Sequence, residues 1–202
     1  MRRIYFTSVT LNKLSPSANT PANFTFSDPA CAAPTVFPII PIIRDTMQPG
    51  DDAKLIVVRQ QNDAHNPNFD QLQTELDALA LPVELVDITC AESQDKDVLL
   101  PVYKAMIHAM EPNAAYYGCM TYGTKTFPCV LFAALAYAEK LLPHTTVEGL
   151  YYREVQWGAN HEMKSSRLFN TTALYHISSI VDTVSNMDCD NKLEMIDMLL
   201  DL

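Results

Sequence analysis

Segments that read as β-strands alternate along this chain with segments that read as α-helices, and this alternation limits the fold more than any other feature. The strand candidates are short apolar runs at 3–9, 53–60, 82–89, 114–122, 146–155 and 167–170. The helix candidates carry apolar residues at helical spacing, at 66–80, 95–111, 127–142, 171–184 and 186–202. The alternation predicts an α/β fold in which helices cover both faces of a mostly parallel sheet.

Two further segments are less regular. Residues 35–47 are apolar but contain two prolines, which a helix tolerates only in its first turn. Residues 10–35 show neither the strand nor the helix period, and their role stays open. The last predicted helix is amphipathic and rich in leucine near its end, so we expect it to dock on the sheet or on a partner subunit, or to link to a further domain.

The charge balance limits the partners of such a domain. The formal net charge is −10, so the surface as a whole repels long nucleic acid, although one local basic pocket can still bind a small anion.

Five cysteines without a CxxC spacing indicate reduced thiols rather than disulfides or a zinc site. No apolar run approaches the ~20 residues of a membrane span. We expect a cytoplasmic protein without a metal, a cofactor or contact with a membrane.

Glycine is scarce, and this excludes two common nucleotide-binding classes. The chain has five glycines, and neither GxGxxG nor GxxxxGK[ST] can be written from them. The dinucleotide fingerprint and the P-loop are therefore absent, which argues against a standard NAD enzyme and against a nucleoside-triphosphate hydrolase.

A polar turn joins the strand at 114–122 to the long apolar helix that follows. Ligands of parallel sheets bind outside the carboxyl ends of the strands, where this turn lies. Gly123 lets the backbone approach a ligand or adopt a positive φ, Thr124 and Thr126 offer hydroxyls that can also cap the helix, and Lys125 adds a positive charge. Together with the first turn of the helix, these residues predict a cradle for an anion. The alternative is a capped helix start that binds nothing.

The order of residues in this turn carries a resemblance to a known family. The matching positions are Thr121, Gly123, Lys125, Thr126, Phe127 and Pro128, followed by an apolar helix and a strand rich in Gly and Tyr. This segment resembles CRISPR-associated CARF-domain proteins, and residues 37–58 and 167–184 also resemble corresponding parts of that family. The chain departs from the family at Cys119, which replaces an aspartate, and at Tyr122, which replaces a histidine.

The resemblance implies a Rossmann-like CARF domain over residues 1–186, followed by a C-terminal helix at 187–202. It further implies a homodimer whose two domains share one pocket for cyclic oligoadenylate, the second messenger of type III CRISPR systems, with the tetra-adenylate favoured over the hexa-adenylate. The implied ligand contacts come from the first strand, from the end of the second strand and from the turn: Thr7, Ser8, Thr10, Arg59, Gln60, Thr121, Tyr122, Gly123, Thr124, Lys125 and Thr126.

Three functions remain in view. The first is a sensor domain that binds the ring and controls an effector. The second is a ring nuclease, in which a 2′-hydroxyl of the ligand attacks the neighbouring phosphate and Lys125 stabilises the developing charge without a metal. The third is a dimeric α/β regulatory domain without this ligand. Trp157 can stack on an adenine or pack at the domain edge, and His161 with Glu162 lacks the second histidine of a zinc motif.

Overall fold

The structure of the chain is a computed structural model that describes residues 1–10, 35–61, 67–157, 159, 163–188 and 190–200. Within these residues, strands and helices alternate as far as the fifth strand. The strands are β1 (Arg2–Ser8), β2 (Asp52–Gln60), β3 (Val83–Cys90), β4 (Ala114–Cys119), β5 (Thr146–Trp157) and β6 (Met163–Asn170). The helices are α1 (Ile39–Thr46), α2 (Pro67–Asp77), α3 (Lys96–His108), α4 (Phe127–Leu141), α5 (Thr172–Ser185) and α6 (Lys192–Leu200).

All six strands belong to one sheet, in the order β3-β2-β1-β4-β5-β6. Strands β1 to β5 pair in parallel, and β6 runs antiparallel to β5 at the edge. The predicted α/β fold with a mostly parallel sheet is therefore confirmed, and the architecture is Rossmann-like. The strand predicted at 167–170 is the second half of β6.

The pleat of the strands divides the hydrophobic core into two layers, one on each face of the sheet. Tyr5 of β1 packs in the layer covered by α1 and α2, whereas Ile4 and Phe6 pack in the layer covered by α3, α4 and α5. Because helices cover both faces, the central strands β1 and β4 are buried along most of their length. A ligand can reach these strands only at their ends.

The prolines of residues 35–47 lie where a helix tolerates them. Pro38 occupies the N-cap position of α1 and Pro41 lies in its first turn, where a missing N–H costs no helical hydrogen bond. The helix then continues through a run of isoleucines buried against the sheet. None of the described helices is long and apolar enough to cross a membrane.

Ion pairs join the chain at the amino ends of the strands, opposite the carboxyl ends that the polar turn follows. The N-terminal ammonium group lies 2.8 Å from Asp51, and the Arg3 guanidinium lies 2.5 Å from the same carboxylate. These two cations, the ammonium first, hold the pKa of Asp51 well below its usual value. Arg2 lies 3.0 Å from Glu111 and lowers the pKa of that carboxyl.

Candidate ligand-binding site

The sheet changes direction between β1 and β4, and the candidate site lies at the carboxyl ends of these strands. From β1 the chain builds outward through β2 and β3, and then returns to add β4 on the other side of β1. In parallel sheets, this switch leaves a crevice between the loops that follow the two central strands. The polar turn at 120–126 follows β4 and lies at this crevice.

Gly123 brings the turn into direct contact with the end of β1. Its φ angle is +104°, and a Cβ at this position would lie 3.0 Å from Ser8 Oγ and 3.2 Å from Phe127 Cβ. A side chain here would be both strained and crowded. The predicted positive φ is therefore present, the turn is joined closely to β1, and the approach to a ligand stays a prediction.

A pocket opens beside this contact, between α3 and α4, and its empty space is about 400 Å³, part of which is open solvent. Its lining is mainly apolar at the bottom, where α3 and α4 meet the sheet, and carries hydroxyl and amide groups from the loops. The apolar lining residues are Val58, Leu99, Val102, Phe127 and Val130, and the other lining residues are Ser8, Arg59, Gln60, Cys90, Ser93, Gln94, Gly123 and Thr124.

Five predicted site residues therefore line the pocket: Ser8, Arg59, Gln60, Gly123 and Thr124. The loop between β3 and α3 supplies Ser93 and Gln94, which sequence reasoning missed. These residues also follow a strand of the parallel sheet, so the rule that points to the other loops could have found them.

Hydrogen bonds link the two loops at the pocket. The hydroxyls of Thr124 and Thr126 lie 3.1 Å apart, and the Thr126 hydroxyl donates to the side-chain carbonyl of Gln94. Thr126 occupies the N-cap position of α4, but its side chain makes no capping bond there. The threonine hydroxyls thus join the turn to the β3–α3 loop instead of capping the helix.

Thr121 and Tyr122 of the turn point to the opposite face of the sheet. The Tyr122 hydroxyl donates to the Val36 carbonyl at 2.5 Å and lies 3.2 Å from an Nη atom of Arg153. The Thr121 hydroxyl accepts a hydrogen bond from the Arg153 backbone at 2.9 Å. Thr121 and Tyr122 therefore anchor the turn to β5 and to the segment before α1, and neither lines the pocket.

Cys119 and Thr7 belong to the same buried cluster on that face. The Cys119 sulfur lies 3.3 Å from the Thr121 hydroxyl, and Thr7 is a further polar neighbour of the thiol. Burial raises the pKa of the Cys119 thiol, so it stays protonated and is a poor nucleophile. Cys119 therefore has a packing role.

The charge of Arg59 is already used within the protein. Its guanidinium forms two hydrogen bonds with Asp87, at 2.8 and 2.7 Å, and lies 4.6 Å from the centre of the Phe69 ring. The hydrogen bonds to Asp87 raise the pKa of Arg59. Arg59 therefore meets the pocket at the end of β2 while its charge is paired with Asp87.

Lys125 and Thr10 complete the predicted set. Lys125 is exposed beside the pocket-lining Thr124 and forms no ion pair or hydrogen bond with any residue that the structure describes. Thr10 is buried, and its carbonyl accepts a hydrogen bond from Asn68 at 2.8 Å. Most of residues 10–35, the Trp157 side chain, His161 and Glu162 lie outside what the structure describes, so the expectations about them stay predictions.

A scan of the chain against models of protein families found no match, and a search of curated proteins also found none. The pocket and the turn are therefore interpreted from their own geometry and from the sequence resemblance.

Proposed function

We propose that this chain is a cytoplasmic sensor domain that binds cyclic oligoadenylate in type III CRISPR defence, as a CARF-domain protein. The observation that carries the proposal is the pocket at the switch between β1 and β4, bordered by the turn whose sequence resembles the family. Ring size stays an expectation from the resemblance, with the tetra-adenylate favoured.

The lining of the pocket suits a nucleobase. Side chains of Val102, Phe127 and Val130 offer an apolar surface to a planar ring, and the neutral amides and hydroxyls of the loops can bond its polar edge. Gln94 and Ser93 are such groups on the β3–α3 loop. The described lining contains no carboxylate, so nothing in it repels an anionic ligand.

The turn suits the phosphates that join the bases. Lys125 is exposed next to Thr124 and carries a charge that no described residue neutralises. Gly123 has no side chain to keep a phosphate from the backbone, and α4 begins directly after the turn with its positive end toward this edge. A base in the pocket and a phosphate over the turn make a consistent pair of contacts.

The same lining favours binding over cleavage. Among the described lining residues there is no histidine, aspartate or glutamate to act as a general base. Cys90 is the titratable thiol there, and burial raises its pKa. We therefore propose a sensor, and keep ring cleavage as the alternative that Lys125 would support.

The proposal includes a homodimer, because a cyclic ligand with repeated bases fits a site that a two-fold axis supplies twice. One ring would then contact one pocket and one turn from each protomer. This stoichiometry separates the proposal from a monomeric nucleotide-binding domain.

Calorimetric titration with cyclic tri-, tetra- and hexa-adenylate tests the proposal, with linear tetra-adenylate as the matched ligand control. We expect saturable binding of one cyclic oligoadenylate per two chains and weaker binding of the linear form. Chromatography of the recovered ligand should show intact rings, whereas progressive loss of the ring would favour the nuclease. Absence of heat with all three rings would refute the sensor assignment.

A further inference from the structure

Helix α5 presents an apolar stripe to solvent. Leu174, Ile177 and Val181 recur at spacings of three and four residues, so they lie on one side of the helix, and all three are exposed, Leu174 by 58%. The stripe continues at Val184, which is buried, whereas Tyr175 on another side of the helix packs against Phe132 of α4. The described protein therefore covers this stripe at Val184 and leaves its first three residues exposed.

Helix α6 extends this exposed apolar area. None of its residues is buried, and its packing partner is α5. Leu193 is exposed by 69%, and Met198 and Leu200 are also exposed. Among the described residues, seven of the twelve exposed large hydrophobic side chains lie between 174 and 200, so the exposure is concentrated and not scattered. We name these seven residues the α5–α6 surface: Leu174, Ile177, Val181, Met187, Leu193, Met198 and Leu200.

The charges around this surface are mainly negative. Exposed carboxylates follow one another along the ends of the two helices, and Lys192 is the single cation among the described residues of 182–200. The Lys192 ammonium donates to the Ser185 carbonyl at 2.7 Å and does not reduce the number of free carboxylates. The carboxylates that form no ion pair with a described residue are Asp188, Asp190, Glu194 and Asp197, while Asp182 is paired with Lys140 of α4.

This charge decides which partner fits. A second copy of the chain would bring the same acidic groups against one another, because a two-fold interface pairs a surface with itself. A partner with apolar residues along one side and lysine or arginine on its flanks would cover the leucines and pair with the carboxylates. We propose that the α5–α6 surface binds a basic amphipathic helix of another protein.

This site is separate from the ligand pocket. No residue of α5 or α6 belongs to the described lining of the pocket, which ends at Val130. The proposal therefore does not depend on the identity of the small ligand, and either proposal can fail alone.

A pair of synthetic peptides tests the proposal with the full chain. Both peptides form an 18-residue helix, roughly five turns long, with leucines along one side. The first peptide carries lysines on the flanks of the leucines, and the second carries glutamate at each of these lysine positions. By fluorescence anisotropy we expect saturable binding of the lysine peptide at one per chain, weakened by salt, and no saturable binding of the glutamate peptide.

Variants of exposed residues locate the binding surface without disturbing the fold. Ile177→Ser and Leu193→Ser should each weaken binding of the lysine peptide about tenfold, and Glu194→Lys should weaken it as well. Leu100→Ser is the matched control, because Leu100 is 61% exposed on α3. Equal loss with Leu100→Ser, equal binding of both peptides, or no saturable binding would overturn the proposal. A dimer that Leu193→Ser dissociates would overturn it too, since the occupant would then be a second copy.

Discussion

Replacing Gly123 with alanine tests the contact that brings the polar turn against β1. Two costs add at this position. A φ of +104° is unfavourable for alanine by about 1–2 kcal/mol. The new methyl group would also lie 3.0 and 3.1 Å from the Ser8 side chain, a crowding that costs about 1–3 kcal/mol in a packed site. We therefore expect the free energy of unfolding to fall by about 2–5 kcal/mol.

Gly50 supplies the matched control. Its φ of +87° is also in the left-handed region, but a Cβ there would meet no atom within 4 Å. Gly50→Ala should therefore lower the free energy of unfolding only by the conformational part, about 1–2 kcal/mol. The difference between the two variants isolates the crowding. Urea unfolding followed by far-UV circular dichroism measures both.

A double variant separates Ser8 from the other neighbours of the turn. Ser8→Gly removes the two atoms closest to the new methyl group, so in this background Gly123→Ala should cost less by about 1 kcal/mol. Phe127 Cβ, at 3.2 Å from the same position, keeps part of the crowding. Equal losses for Gly123→Ala and Gly50→Ala would refute the close contact, and additive effects in the double variant would refute the role of Ser8.

Three further changes have expected outcomes. Arg2 lowers the pKa of Glu111, so the ionised Glu111 carboxylate stabilises the fold above about pH 5. This stabilisation is lost as the pH falls from the usual glutamate pKa, near 4, towards the lower pKa of Glu111 in the folded protein. Glu111→Gln should therefore lower the urea midpoint at pH 7 and make the decline of that midpoint below pH 5 shallower. Tyr122→Phe removes the hydroxyl that donates to Val36 O and should lower the free energy of unfolding by about 1–3 kcal/mol in urea. Lys125→Ala should weaken cyclic oligoadenylate binding roughly tenfold or more in calorimetry and change the unfolding free energy by less than about 0.5 kcal/mol.

Each of these changes has a matched control. Glu92→Gln removes an exposed carboxylate that pairs with no described residue. The urea midpoint of this variant should decline below pH 5 as that of the parent protein does. Tyr152→Phe alters an exposed tyrosine and should leave stability nearly unchanged. Lys104→Ala removes an exposed lysine from α3 and should leave ligand affinity intact. The role of Glu111 is contradicted if the midpoint of Glu111→Gln declines below pH 5 as steeply as that of the parent protein. The role of Tyr122 is contradicted if Tyr122→Phe leaves the free energy of unfolding unchanged. The role of Lys125 is contradicted if the two lysine variants bind the ligand with equal affinity.

The link between Gln94 and Thr126 has a consequence for the proposed sensor. These residues join the β3–α3 loop to the start of α4, so a ligand that bonds either side chain must compete with the link or build on it. Both loops also border the pocket. A ligand in the pocket would therefore affect the conformation of both loops together, as is expected of a domain that signals binding to an effector.

The secondary structure was largely predictable from the sequence, because periodicity is a local property. The continuous apolar run of β2 and the helical spacing of Leu72 and Leu76 in α2 are patterns of a few neighbouring residues. The strand order was not predictable in the same way, since pairing of β1 with β4 joins residues more than a hundred positions apart. Strand–helix alternation limits the possible orders without choosing one.

The site divides along the same line. The sequence by itself predicted that Gly123, Thr124 and Lys125 form a polar turn between a buried strand and a helix, at the edge where parallel sheets commonly bind ligands. Only the tertiary structure decided that Thr121 and Tyr122 point away from the pocket and that Gln94 joins the site. It also decided that the guanidinium of Arg59 is paired with the carboxylate of Asp87. The reason is physical. The pleat of a strand and the geometry of a turn place neighbouring side chains on opposite faces of the sheet. The partners of a polar side chain lie in distant segments of the sequence, which come together only when the chain folds.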